Sequence, residues 1–268
     1  MSVHTLTAEK VTTGYGERTV IDGLDLAVPP GSVGAVIGPN GCGKSTLLRT
    51  LARLRRPTSG RVLLDGQALT SMPTRRLAQV LGLLPQAPVC PEGITVADLV
   101  ERGRTPHRGA FGRWTHADDE AVARALALTA TEDLVDRPVD ELSGGQRQRV
   151  WIAMALAQQT DLLLLDEPTT YLDLTHQVEV LDLLCDLNRA TGTTIVMVLH
   201  DINLAARHCD WLVAMRDGRV MAQGSPAEVV TEQTMREVFD LRTRIIADPV
   251  TGSPVVIPVA PLTTGDTR

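Results

Sequence analysis

The string GPNGCGKST at 38–46 constrains this chain more than any other feature. It fits the pattern GxxxxGK[ST], follows an apolar run, VGAVI at 33–37, and leads into TLLRTLARL, whose leucines at 47, 48, 51 and 54 recur at helical spacing. Strand, glycine loop and helix in immediate succession make the backbone turn sharply at the end of a buried strand and aim a helix N-terminus at the turn. Glycines let backbone N–H groups close around phosphate oxygens without side-chain clash, and the helix adds the positive end of its dipole. Along this loop, Gly38, Pro39, Asn40, Gly41, Cys42, Gly43 and Thr46 shape the cradle. Lys44 supplies a point charge at the β and γ phosphates, and the Ser45 hydroxyl is a ligand for Mg²⁺. Lys10 and Lys44 are the only lysines among 26 basic residues, so the position of Lys44 is not incidental.

The pattern around the loop predicts an α/β fold with a mainly parallel sheet flanked by helices. Before residue 37, short alternating stretches such as 19–28 read as strands, forming an antiparallel N-terminal β portion. GRVLLDG at 60–66 reads as another strand, Pro73 opens a helix, and residues 80–84 form a further strand ending at Pro85 and Gln86. From 87 to 149 the chain changes character. A Pro-rich start is followed by TVADLVERGR, with Thr95 as N-cap, and by HADDEAVARALALT, with acidic residues in its first turn where the helix dipole favours them. This is a helical insertion. Strands and helices then alternate again through 162–165, 174–189, 193–199, 201 onward, 211–215 and 219–222, as a parallel sheet requires. The Pro- and Thr-rich end, TGSPVVIPVAPLTTGDTR, is expected to fray.

A formal net charge of -6 leaves no global basic field to recruit nucleic acid. No run of about 18 apolar residues offers a membrane span, and the start of the chain lacks an apolar signal-peptide core, so the reading is cytoplasmic. Cys42, Cys90, Cys185 and Cys209 are too dispersed for a zinc site and read as reduced thiols, with Cys185 and Cys209 in core packing. Cys42 has two readings: a thiol activated by the helix N-terminus, or one made inert by burial.

Two more motifs complete the chemistry. LLLLDEP at 162–168 delivers two acids from an apolar strand, placing Asp166 near the Mg²⁺ of a phosphate loop and leaving Glu167 to polarise an attacking water. LSGGQ at 142–146 opens the helix RQRVWIAMALAQ. With these three motifs in this order, residues 5–245 resemble the ATP-binding cassette (ABC) ATPases, the nucleotide-binding subunits of ABC transporters. The resemblance implies one ABC ATPase domain over 1–268: a core of 1–86 and 150–245, the insertion 87–149 with the signature at its end, and a C-terminal extension, 246–268. It implies that Tyr15 stacks on adenine, that Gln86 touches Mg²⁺ and water, and that His200 contacts the γ-phosphate. It implies further that Ser143, Gly144, Gly145 and Gln146 bind ATP from across a dimer interface, with Asp173 facing the partner. His176 and His208 are left as surface or packing residues.

ATP with Mg²⁺ is thus the expected ligand, and an ATP-dependent homodimer the expected assembly. Membrane permease subunits and, indirectly, a substrate-binding protein are the other implied partners, with the chain peripheral on the cytoplasmic face of the membrane. The stretches PTTYLDLTHQVEVLDLL, LHDINLAARHCD and ADPVTGSPVVIP look like those of bacterial importers for iron-siderophore complexes, haem or cobalamin. Ferric-siderophore import is the favoured expectation. The alternatives are an exporter ATPase and a soluble ABC ATPase without a transport role.

Overall fold

The computed structural model describes residues 4–108 and 112–262; the expected C-terminal extension therefore continues, over 263–268, outside the described residues. The chain forms two compact units, one of Ser71–Ile195 and one of His4–Thr70 with residues 196–262.

The second of these units begins with strands β1 (Leu6–Tyr15) and β2 (Arg18–Val28), then β3 (Val33–Ile37), helix α1 (Lys44–Leu51), and strands β4 (Ser59–Leu64) and β5 (Gln67–Ala68). β2, β1, β4 and β5 lie side by side in an antiparallel sheet. Burial along β1 alternates residue by residue, as it must when one face of a strand packs and the other meets water. β3 differs: all five residues are buried, which is why its sequence is a continuous apolar run. α1 ends sooner than its leucine spacing predicts. Arg53 takes a left-handed φ of 59°, so the chain leaves the helical path and Leu54 is 72% exposed instead of extending the apolar stripe.

The unit Ser71–Ile195 contains α2 (Thr74–Val80), β6 (Leu81–Leu84), α3 (Val96–Glu101), α4 (His116–Leu128), α5 (Gly144–Ala157), β7 (Leu162–Asp166) and α6 (Leu174–Thr191). β6 and β7 pair in parallel, Leu81 opposite Leu162 through Leu84 opposite Leu165. The insertion is helical, and a buried ion pair organises it. Arg104 Nε donates to Asp118 Oδ1 at 2.8 Å, both side chains 5% exposed. The Arg104 Nη1 group also donates to the Ala157 carbonyl at 2.7 Å and to Gln159 Oε1 at 2.9 Å. His107 Nε2 lies 2.7 Å from the Gln158 carbonyl. The last carbonyls of α5, which have no partner within a helix, are thus met by side chains from the 104–108 turn.

β8 (Thr194–Val198) contains the division between the units; Thr194 N donates to Asp161 O at 2.9 Å in one, and Leu199 N to Val36 O at 3.3 Å in the other. The chain continues through α7 (Ile202–His208), β9 (Trp211–Arg216), β10 (Arg219–Gly224), α8 (Pro226–Val229), α9 (Glu232–Phe239), β11 (Leu241–Ala247) and β12 (Pro254–Pro261). β9 runs parallel to β3, and β10 antiparallel to β9. The expectation that the C-terminal stretch frays is corrected over residues 254–261, where β12 pairs with β11. β12 has a partner on one side only, an edge position that tolerates proline, and Pro258 falls at the register shift opposite Thr243. Asn203 on α7 fastens the hairpin: its Oδ1 accepts from Val256 N at 2.7 Å and its Nδ2 donates to Val256 O at 3.3 Å.

Hydrogen bonds from Arg104 and then Thr115 lower the Asp118 carboxyl from 3.8 to about 2. A carboxyl held lower in the folded chain stabilises it fully above its unfolded pKa and loses that contribution as the pH falls through the folded value. Asp118→Ala, which strands the buried guanidinium, should cost about 3 kcal/mol in urea unfolding at pH 7. The gap between variant and parent should shrink as the pH is taken from 4 toward 2. An unchanged unfolding midpoint at pH 7 would rule out an organising role for the pair.

Candidate functional site

Residues 38–46 run from the end of β3 into the first residues of α1. The backbone leaves β3 at Gly38, whose φ is 152°, and a Cβ there would stand 2.2 Å from the Met215 carbonyl oxygen, so only glycine fits. Asn40 and Gly41 are exposed, Pro39 is half-buried, and the loop closes with Cys42 N donating to Pro39 O at 3.4 Å. α1 then starts at Lys44 behind Gly43. It has neither a side-chain cap nor an acidic residue in its first turn, in contrast to α3, α5, α6, α7 and α9, each capped by a Ser, Thr or Asp side chain. Its positive end therefore remains available to an outside anion. Lys44 is 5% exposed, and its Nζ donates to Gly38 O at 2.8 Å and Pro39 O at 3.0 Å. The ammonium thus stays inside the loop. Ser45 is half-buried and Thr46 buried.

Burial favours the inert reading of Cys42 over the activated one. The side chain is 4% exposed, and desolvation pushes the thiol up despite the opposing pull of Lys44, which disfavours the reactive thiolate. Of the two cysteines expected in core packing, Cys209 is buried and Cys185 half-buried.

Tyr15, the last residue of β1, is 48% exposed, with the Arg55 guanidinium 3.6 Å from its ring centroid. Its phenol is held below the ordinary value first by a hydrogen bond to the Thr46 hydroxyl and then by Arg49, against the effect of burial. His200 is exposed just after β8, and Asp201 caps α7 by accepting from Leu204 N at 2.9 Å.

In the other unit, all five residues of β7 are buried, and the strand ends in Asp166, 2% exposed. Glu167 then turns into the left-handed region at φ 57° and is half-buried. Its Oε2 accepts from Gln86 Nε2 at 2.5 Å and from Thr170 Oγ1 at 2.9 Å. Gln86 and Glu167, assigned separately by sequence, are in direct contact. The signature is a capping box: Ser143 Oγ accepts from Gln146 N at 3.3 Å, and Ser143 N donates to Gln146 Oε1 at 3.1 Å. Asp173 caps α6, accepting from His176 N at 3.0 Å, with its Oδ1 2.7 Å from His176 Nδ1. These contacts lower its carboxyl, the His176 backbone N–H contributing most.

The sequence reading did not single out Thr170, and it did not specify where His176 packs. Thr170 escapes because a threonine in a turn carries no distinctive pattern, and only its spacing of three from Glu167 hints at a side-chain contact. His176, expected as a surface or packing residue, packs: a Cβ added to Gly145 would stand 2.8 Å from its Cδ2 atom, so the imidazole lies directly on the signature. The Asp173–His176 spacing at a helix start was the available signal.

Within the unit Ser71–Ile195, the Asp166 carboxylate and the Gln86 amide oxygen are hard donors of the kind that suit Mg²⁺. Among the described residues, no group of three or more His, Cys, Asp or Glu is placed to hold a metal alone. Such an ion would therefore take its remaining ligands from phosphate and water, the usual habit of Mg²⁺.

The family model described as ABC transporter matches residues 21–170. The petrobactin import ATP-binding protein FpuD of Bacillus anthracis is 53% identical over 253 residues, covering 94% of this chain and 93% of that protein. The ferric enterobactin transport ATP-binding protein FepC of Escherichia coli (strain K12) is 50% identical over 258 residues, covering 96% and 95%. The dimeric structure of MJ0796, a bacterial ABC transporter cassette, superposes with a TM-score of 0.73 at 29% identity, over 82% of this chain and 98% of that one. The chain belongs to the ABC transporter family, as an ATP-binding cassette of α/β fold.

Packing of His176 on Gly145 predicts a specific compensation. Gly145→Ala should destabilise the chain by about 1–3 kcal/mol through overpacking. Adding His176→Ala should return part of that loss, which thermal melts of the single and double variants measure. Strictly additive losses would show that the ring does not crowd this position.

Proposed function

We propose that this chain is the ATP-hydrolysing subunit of a bacterial importer of ferric siderophores. The observation that carries this reading is the near-full-length similarity, at 50% identity or more, to the petrobactin and ferric enterobactin ATP-binding proteins. No helix among the described residues is long and apolar enough to cross a membrane, so transport on this reading needs separate permease subunits. They would dock on the helical insertion, 87–149, and on the segment after Gln86, holding the chain at the cytoplasmic face. A substrate-binding protein would deliver the iron chelate from the other side.

On this reading ATP lies with its phosphates against Gly38–Thr46 backbone N–H groups and Lys44, and with its adenine on Tyr15. Mg²⁺ held by Ser45, Asp166 and Gln86 would neutralise developing phosphate charge. Glu167 accepts a proton from the attacking water as ATP and water become ADP and phosphate, and His200 contacts the γ-phosphate. A second copy contributes Ser143, Gly144, Gly145 and Gln146, with the Gly144 and Gly145 backbone N–H groups facing the same phosphate, and with Asp173 at the interface. ATP then holds two cassettes together and hydrolysis releases them; the dimeric cassette of the structural relative supports this assembly.

Lys44→Ala should weaken Mg-ATP binding about tenfold to a hundredfold in calorimetry, the usual worth of a charge-assisted contact. Normal affinity would contradict its role. Glu167→Gln should bind ATP, collect as a dimer in gel filtration, and lose turnover by at least about 10²-fold. Deleting the gene should abolish uptake of a radiolabelled ferric siderophore while leaving unrelated solutes alone. Unchanged ferric-siderophore uptake would refute the transport assignment.

A further inference from the structure

We infer that Thr170 is a positioning residue for Glu167. The inference rests on the reading of Glu167 as the base that takes the proton of the attacking water.

The last torsion of a glutamate is soft, and a carboxylate on a flexible stem samples many orientations unless donors fix it. Two donors converge on one oxygen of Glu167: the Gln86 amide at 2.5 Å and the Thr170 hydroxyl at 2.9 Å. They differ in what else they can do. Gln86 is exposed and belongs to the segment that follows β6, far along the chain from Glu167. Its proposed ligand is the metal, through the amide oxygen, so one exposed side chain serves two partners. Thr170 belongs to the same turn as the glutamate. Its N–H donates to Glu167 O at 3.2 Å while its hydroxyl donates to Glu167 Oε2, so backbone and side chain of one residue hold both ends of the other.

The turn itself is unusual. Glu167 and Tyr171 both adopt left-handed conformations, φ 57° and 65°, that cost non-glycine residues free energy. Thr170 lies between them, half-buried. A turn that accepts two such residues is determined by its surroundings, and the Thr170 hydroxyl is one of the bonds that determines where the carboxylate goes. Thr170 does not touch the reacting atoms. It holds the carboxylate from within the same turn, whatever Gln86 does.

The test separates this from packing. Thr170→Val keeps the shape and removes the donor; Thr170→Ser keeps the donor. With purified full-length chain and Mg-ATP, Thr170→Val should lower kcat roughly tenfold, the loss expected for one hydrogen bond to a charged group, with the KM for ATP within about twofold. Thr170→Ser should restore most of kcat. In a Glu167→Gln background, Thr170→Val should leave ATP-driven dimerisation intact, showing that folding and binding survive. Unchanged kcat in Thr170→Val beside an inactive Glu167→Gln would overturn the inference. So would equal loss in the Val and Ser variants, or a rise in KM that accounts for the defect. Normal turnover by Glu167→Gln would instead remove the underlying reading of the base.

Discussion

The first turn of α1 sets the terms for the unit that contains it. Helices α3, α5, α6 and α7 satisfy leading N–H groups with a Ser, Thr or Asp of their own; α1, like α2, has no side-chain cap. Several donors and a dipole end are left pointing at one spot, which is stable only if water or an anion answers them. The rest of the unit can be read as support for that exposure. β3 is buried throughout, so the strand cannot yield. Gly38 lets the backbone pass against Met215, and the lysine is folded back onto loop carbonyls that would otherwise compete for the same donors. Tyr15, 48% exposed with the Arg55 guanidinium over its ring, adds a ring-sized surface to the same unit.

In the other unit the corresponding rigid element is α5. Its N-terminal end is closed by the Ser143–Gln146 box, and its C-terminal carbonyls are taken by Arg104 and His107. The box is local to the first turn, so the tie to the 104–108 turn lies at the far end of the helix. At its start α6 contacts Gly145 through His176.

Legibility in the sequence followed the physics of each element. β3, β7 and β8 could be read because strands buried on both faces must be continuous apolar runs. The loop could be read because its chemistry admits few residue types. What escaped depended on tertiary contacts that leave no local trace. Leu54 carries the right spacing for a helix that has already ended, since a left-handed Arg53 is not encoded by any pattern around it. The proline-rich tail looked unstructured because the edge position that excuses Pro258 becomes visible only once β11 is beside it. In the site, Gln86 and Glu167 were each identifiable as groups, but not their mutual contact, and Thr170 gave no compositional signal at all.

The rarity of lysine gives the phosphate loop a chemical handle of its own. Lys10 is exposed and Lys44 is 5% exposed with its nitrogen turned onto two carbonyls, so the two ε-amines of the chain differ sharply in access. An acylating reagent of modest reactivity meets one side-chain amine on the surface and leaves the other alone. Arginines, which supply nearly all the remaining positive charge, do not respond to such reagents at neutral pH. Acylation of Lys44 thereby becomes a clock for opening of the loop, readable as a single mass increment on one peptide.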